Sequence, residues 1–446
     1  MSNKNILDSN DITKLFFKFA IPSIFGMLIV SFQVMIDGMF IGQVVGPIGL
    51  AAVNLSMPII NFLLSIGLMI CVGGGVITSI YYGNKKINKA KELSTITLVL
   101  LFLVLESLSL VVLFNLDFFI NILGANEEVF PYVKSYMIPM MLGAFFYTSP
   151  IFTETFVKIE EKPHFVFISG LTCLSFNVIL DYLFIVKFNF GIAGGASATI
   201  IACAIGFFAL LPNLHFKFPR KNIKYYFNDI KNIFYNGSSE MLSVISSTIA
   251  TYLFNLVLMK EIGILGVSAL TIVFYINQLL NISLYGLSQA LQPLVAYNLG
   301  AKNFTRIKKV LKISFITGGS IGVIAYFGSL LWGNFLISIF SKGNQELISL
   351  AKTALFYISF AYLLSFINII STSFLTSIEK PFESIVVSMG RSLIFIVIPL
   401  FILPKIIGSI GIWISIPVAE LACLLVSFYL MKKSIYSLEK KLVKSF

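Results

Sequence analysis

The chain is 446 residues long, 57% hydrophobic and only 12% charged, with a net charge of +12 and four cysteines. A soluble globular protein carries about 25% charged residues, so this balance excludes an ordinary water-soluble domain. The basic residues gather in short segments between apolar runs, which argues against a nucleic-acid surface, and no CxxC pair suggests a disulfide framework or metal cluster.

Runs of about 20 apolar residues predict an all-α membrane protein of twelve transmembrane helices. They fall near 19–43, 51–80, 94–115, 133–157, 164–186, 191–212, 237–259, 266–297, 311–333, 350–377, 382–404 and 408–431. The first run follows Lys14 and Lys18, is too long for a cleavable signal and lacks a small-residue cleavage pattern, so it reads as a span. With the amino terminus inside, only Lys134, Lys187, Lys260, Lys342, Lys352 and Lys405 of 32 Lys and Arg fall outside. That bias predicts cytoplasmic termini in a plasma (cell inner) membrane, with lipid as neighbour and no nucleic-acid partner.

The second and eighth spans end in similar turns, YYGNKKINKA at 81–90 and NLGAKNFTRI at 298–307. Gly83 and Gly300 are 217 apart, as are Gly49 and Gly266, and Gly194 and Gly411. Three matches at one offset indicate duplication. Six helices per half is an even number, so two parallel six-helix bundles are expected, related by a pseudo-two-fold axis along the membrane normal. The expected lobes are residues 1–213 and 236–446, joined by a basic cytoplasmic linker at 214–235.

Taken along the chain, the first span holds Pro22, Gln33 and Asp37, and Pro22 removes a helical hydrogen bond fifteen residues before the aspartate. The second carries Asn54, Met57, Asn61 and Ser65 at helical spacing, and the eighth carries Thr271, Tyr275 and Gln278. Polar atoms facing lipid are costly, so these stripes are read either as facing a gap between halves or as interhelical hydrogen bonds. Gln33, Asn54, Met57, Asn61 and Gln278 are the candidate substrate-cavity residues.

The fifth span contains SFNVILDYLFI, which places Asn177 and Asp181 on one helix face. At 1.5 Å per residue, Asp37 and Asp181 each lie ~9 Å below the outer surface, Thr199 ~12 Å and Asn177 ~15 Å. Tyr136 on the fourth span falls in the same layer. At the 217 offset these four positions become Phe254, Ile398, Ile416 and Ile394. A structural network would be kept in both halves as readily as in one, so the asymmetry points to a task. Carboxylate, amide and hydroxyl oxygens suit a hard cation, and two adjacent carboxylates in low dielectric also favour a shared proton.

Among the other charges, Arg391 and Glu420 both lie ~15 Å deep on the eleventh and twelfth spans and are expected to form an ion pair, read as a structural clamp with gating as the alternative. Glu106 has no partner visible in the sequence. Glu154 and Glu240 are read as hydrated near cytoplasmic ends, and His164 and His215 as solvated.

These segments resemble the multidrug and toxic compound extrusion (MATE) family over nearly the whole chain. The resemblance is carried by IPSIFGMLIVSFQVMIDGMFIG, NVILDYLFI followed by GIAGGASATI, LSQALQPLVAYNLGAKN and GSIGIWISIPVAE, while NGSSEMLSVISS is similar to the MepA-like branch. It implies a twelve-helix antiporter exporting amphipathic, often cationic small molecules in exchange for H+ or Na+. It implies a cation site at Asp37, Asn177, Asp181 and Thr199, supported by Tyr136 and by the bend-forming Pro22. The seventh span has only Glu240, so the resemblance does not extend to a carboxy-lobe acidic pair.

The sequence has no GxxxxGK[ST] segment, no HExxH and only two histidines, so direct ATP coupling, an enzyme and a resident cofactor are not expected. A lipid or lipid-linked oligosaccharide flippase is the alternative; it calls for a strongly cationic cavity, and the spans hold one arginine, Arg391. A monomer is expected.

Overall fold

A computed structural model describes residues 11–341 and 344–443; Lys342 lies outside them. Among the described residues there are helices and no strands. The helices are α1 (Ile12–Val44), α2 (Pro47–Gly83), α3 (Ile87–Phe114), a short α4 (Leu116–Ile122), α5 (Phe130–Leu142), α6 (Ala144–Ile159), α7 (His164–Asp181) and α8 (Gly191–Leu210). They continue with α9 (Phe227–Glu261), α10 (Ile264–Gly300), α11 (Phe304–Ser341), α12 (Gln345–Ser359), α13 (Tyr362–Ser377), α14 (Pro381–Met389), α15 (Phe395–Ile407) and α16 (Ile410–Val443).

Ten helical stretches are individually long and apolar enough to cross a membrane, and α12 with α13 forms an eleventh bent by 51°. The remaining expected span, the fourth, is α5 and α6, interrupted at Gly143. Large apolar side chains point outward along α11, among them Ile316, Val323, Ile324, Phe327, Leu331, Trp332 and Phe335. A helix apolar on its outer surface needs lipid around it. The chain is a multi-pass membrane protein.

The 217-residue repeat is written into the backbone. Positive φ angles recur at Gly46 and Gly263, at Lys85 and Lys302, and at Gly191 and Gly408. The turn hydrogen bonds match as well: Gly46 N–H donates to the Ile41 carbonyl and Gly263 N–H to that of Leu258. The breaks at Gly143 and Phe360 share the offset. At the first, a Cβ on Gly143 would lie 2.3 Å from Ile200, so only glycine lets α8 approach there.

By internal contacts the chain divides between Gly237 and Ser238, inside α9, with Asp11–Phe16 grouped with the second unit. In the first unit, the basic segment expected as a surface linker packs on the C-terminal end of α2 and the N-terminal end of α3. Thr95 and the Lys217 backbone bond each other twice, at 3.0 and 3.1 Å. The buried Tyr226 donates to Glu92 at 2.7 Å, and Asp229 binds Lys89 at 2.9 Å. Tyrosines alternating with charges give this stretch an apolar face together with hydrogen-bonding tips, which is why it docks. Beyond it, α2 and α9 touch backbone to backbone: a Cβ on Gly73 would meet the Ile233 carbonyl oxygen at 2.0 Å.

The second unit has its own apolar core, including Phe254, Leu258, Leu270, Val273, Leu355, Ile358, Ile412 and Trp413. Its eleventh span contains a π-helical turn at Gly390–Ile394, as the fifth span does at Tyr182–Lys187. Such turns, rare elsewhere, often sit at functional positions, and here each adjoins a charged residue, Arg391 or Asp181.

Candidate cation site

Three helices of the first unit deliver Asp37, Asn177, Asp181 and Thr199 to one place. Thr199 Oγ1 donates to Asp37 Oδ2 at 3.2 Å and lies 3.5 Å from Asn177 Nδ2. The threonine also contacts the Gly195 carbonyl at 3.1 Å, which ties its rotamer to α8. The Asp181 carboxyl lies beside that of Asp37; the buried Tyr136 lies within electrostatic reach of both, and Tyr147 of Asp37. Asn177 and Asp181 are fully buried.

What distinguishes this cluster is what its oxygens lack. Asp37 Oδ1, Asn177 Oδ1 and both oxygens of Asp181 are buried with no hydrogen-bond partner. A buried acceptor left unpaired costs about 1–3 kcal/mol, and more when charged. Two carboxyl groups and an amide oxygen converging, with a hydroxyl donor at Asp37 Oδ2, fit a small hard cation or a proton. Among the described residues no group of three or more His, Cys, Asp or Glu could hold a metal; the cluster combines two acids with the neutral oxygens of Asn177 and Thr199.

One helical turn deeper lies a layer that sequence reasoning missed. Cys173 Sγ is 3.6 Å from Gln33 Oε1 and 3.8 Å from Cys203 Sγ. Gln33, Cys173 and Cys203 are each four residues from Asp37, Asn177 and Thr199, and that spacing was the available signal. The structure thus places Gln33 against α7. Asn54 and Gln278 are exposed, and Met57 and Asn61 are half-buried. Pro22 lies in α1, which runs unbroken from Ile12 to Val44.

In the second unit Arg391 Nε donates to Glu420 Oε1 at 2.8 Å. Asn368 Nδ2 donates to Glu420 Oε2 at 2.7 Å, and Ser427 donates to Asn368 Oδ1 at 2.7 Å. The pair is therefore embedded in a chain of buried polar groups across α13, α16 and the π-helical turn.

Three other carboxylates depart from expectation. Glu106 is partnered: it accepts the Phe145 N–H at 3.1 Å, because the break at Gly143 frees donors in the first turn of α6. Glu154 is buried, with buried Lys158 four residues on. Glu240 is half-buried and accepts from Gln292 Nε2 at 3.1 Å. His164 is exposed, and His215 Nδ1 lies 2.8 Å from Glu160.

Comparison with known proteins agrees with this architecture. The chain is 25% identical to the multidrug export protein MepA of Staphylococcus haemolyticus over 98% of its length and 96% of the relative's. It is also 25% identical to MepA of Staphylococcus aureus strain MSSA476, covering 95% and 94%. Its fold matches that of a mutant Vibrio cholerae MATE transporter, VcmN, with a TM-score of 0.90 at 20% identity, over 96% of this chain and 97% of that one. A multidrug resistance MATE transporter of the MOP superfamily in an outward-facing conformation gives 0.91 at 19% identity, with 98% of each chain covered. The MatE family model matches residues 22–183 and again 240–402, one copy per repeat. The chain belongs to the MatE family.

Proposed function

We propose that this transporter is a secondary multidrug antiporter, exporting amphipathic, cationic compounds in exchange for H+ or Na+ that binds at Asp37, Asn177, Asp181 and Thr199. The observation that carries this reading is the set of four buried oxygens without partners around two neighbouring carboxylates. With no ion present, Asp37 and Asp181 repel each other in a medium of low dielectric. A proton or sodium ion shared between them relieves that repulsion, while Thr199 and Asn177 orient Asp37 and complete the oxygen set. Helices α1, α7 and α8 then experience different forces in the loaded and empty states, which is the requirement for an ion to bias a conformational equilibrium. Tyr136 closes the cluster from α5. Pro22, where α1 lacks a backbone hydrogen bond, is the place where that helix yields.

The multidrug export relatives favour drug efflux over lipid or oligosaccharide flipping. The distribution of basic residues supports a plasma-membrane location with both termini cytoplasmic. The test is drug efflux from everted vesicles under imposed proton or sodium gradients, for the native protein and Asp37→Asn. Gradient-driven transport in the native protein alone is expected. Equal transport by both, or ATP-driven transport without a gradient, overturns the reading.

A further inference from the structure

Within the second unit lies a cavity of about 180 Å³. Phe254 and Ile416, the 217-offset counterparts of Asp37 and Thr199, line it. Two of the four positions equivalent to the cation-site residues thus face it as hydrocarbon, and Arg391 and Glu420 line the same cavity. Glu420 stands at the offset position of Cys203, so the ion pair occupies the layer that holds the thiols in the first unit.

The ion pair is not saturated. A guanidinium has five N–H donors and a carboxylate about four acceptor sites. Arg391 spends Nε on Glu420 and a further contact on Tyr285, while Glu420 receives Arg391 and Asn368. Facing the same space, Tyr362 and Ser365 are 2% and 4% exposed, and their hydroxyls have no partner. Buried hydroxyls of this kind normally find a partner.

We propose that this cavity binds a small zwitterion of α-amino-acid size. The carboxylate would bond to Arg391 and the Tyr362 and Ser365 hydroxyls, the ammonium to Glu420, and the apolar part would lie on Phe254 and Ile416. Charge balance selects this class. The pair is neutral, so a lone anion or cation would leave a net charge inside a low-dielectric bundle, whereas a zwitterion leaves none. Size is of the right order: a cavity of about 150 Å³ accepts benzene, with six non-hydrogen atoms, so this one holds roughly seven. The site is separate from the Asp37 cluster and stands without the antiport reading.

The experiment is equilibrium binding of L-valine to the purified full chain in lipid nanodiscs, compared with isobutylamine and 3-methylbutanoate. Saturable one-to-one binding of valine is expected, with each singly charged analogue about ten- to a hundred-fold weaker. Tyr362→Phe, which keeps the ring and the ion pair, should weaken valine about five- to ten-fold, as should Ser365→Ala. The proposal is overturned if no valine binds at millimolar concentration, if either analogue binds equally well, or if both hydroxyl variants bind valine like the native protein.

Discussion

The two halves share a backbone plan but not a chemistry. Turns, glycines and helix breaks repeat at 217 residues, yet one bundle gathers Asp37, Asn177, Asp181 and Thr199 where the other places Phe254, Ile394, Ile398 and Ile416. In the first unit the charges are left without counter-charge; in the second, Arg391 permanently neutralises Glu420 at 2.8 Å. The first unit leaves its two carboxylates without a counter-ion, whereas the second keeps a cation as part of its own side chains. A fixed guanidinium cannot leave, so it cannot carry a coupling cycle.

Breaking the exchangeable half should have the largest effect. Asp37→Asn and Asp181→Asn should each reduce gradient-driven efflux to background, whereas Phe254→Leu at the twin position should retain most of it; vesicle efflux decides. Next comes the fixed half. Arg391→Ala leaves Glu420 buried and uncompensated, a loss of about 3–5 kcal/mol, whereas the double change Arg391→Met with Glu420→Met should recover much of it. Thermal unfolding in detergent tests this, and an equally stable single variant would show that the clamp carries no weight.

A smaller effect is expected at Thr199→Val, which removes the only hydroxyl donated to Asp37 among the described contacts. Ion affinity should fall about ten-fold with little change in stability, measured by the gradient needed for half-maximal efflux. The smallest effect sharpens the comparison through a matched glycine pair. A Cβ on Gly411 would meet the Leu403 backbone at 2.4 Å, whereas one on Gly194 would meet Phe184 at 3.1 Å. Gly411→Ala should therefore cost about 1–3 kcal/mol and Gly194→Ala less, read as a difference in melting temperature.

Much of this was legible in the residues. Asn177 and Asp181 four apart in an apolar run, and the loss of their counterparts, pointed to the cluster because charge inside a bilayer is too costly to be incidental. Other features could not be read that way. Glu106 found its partner only because a break in the fourth span frees an amide, and the basic segment after α8 docked because its tyrosines met α3. The thiol layer was overlooked since cysteine in an apolar run looks like core.

The sequence by itself determined the helical spans, the repeat and which polar residues sit inside those spans, because hydrophobic length and charge cost act locally along the chain. Only the tertiary structure decided which oxygens stay unpaired, which carboxylates find donors, and that a hollow persists beside Arg391 and Glu420. Those outcomes depend on which side chains approach within hydrogen-bonding distance across helices, and no periodicity encodes that.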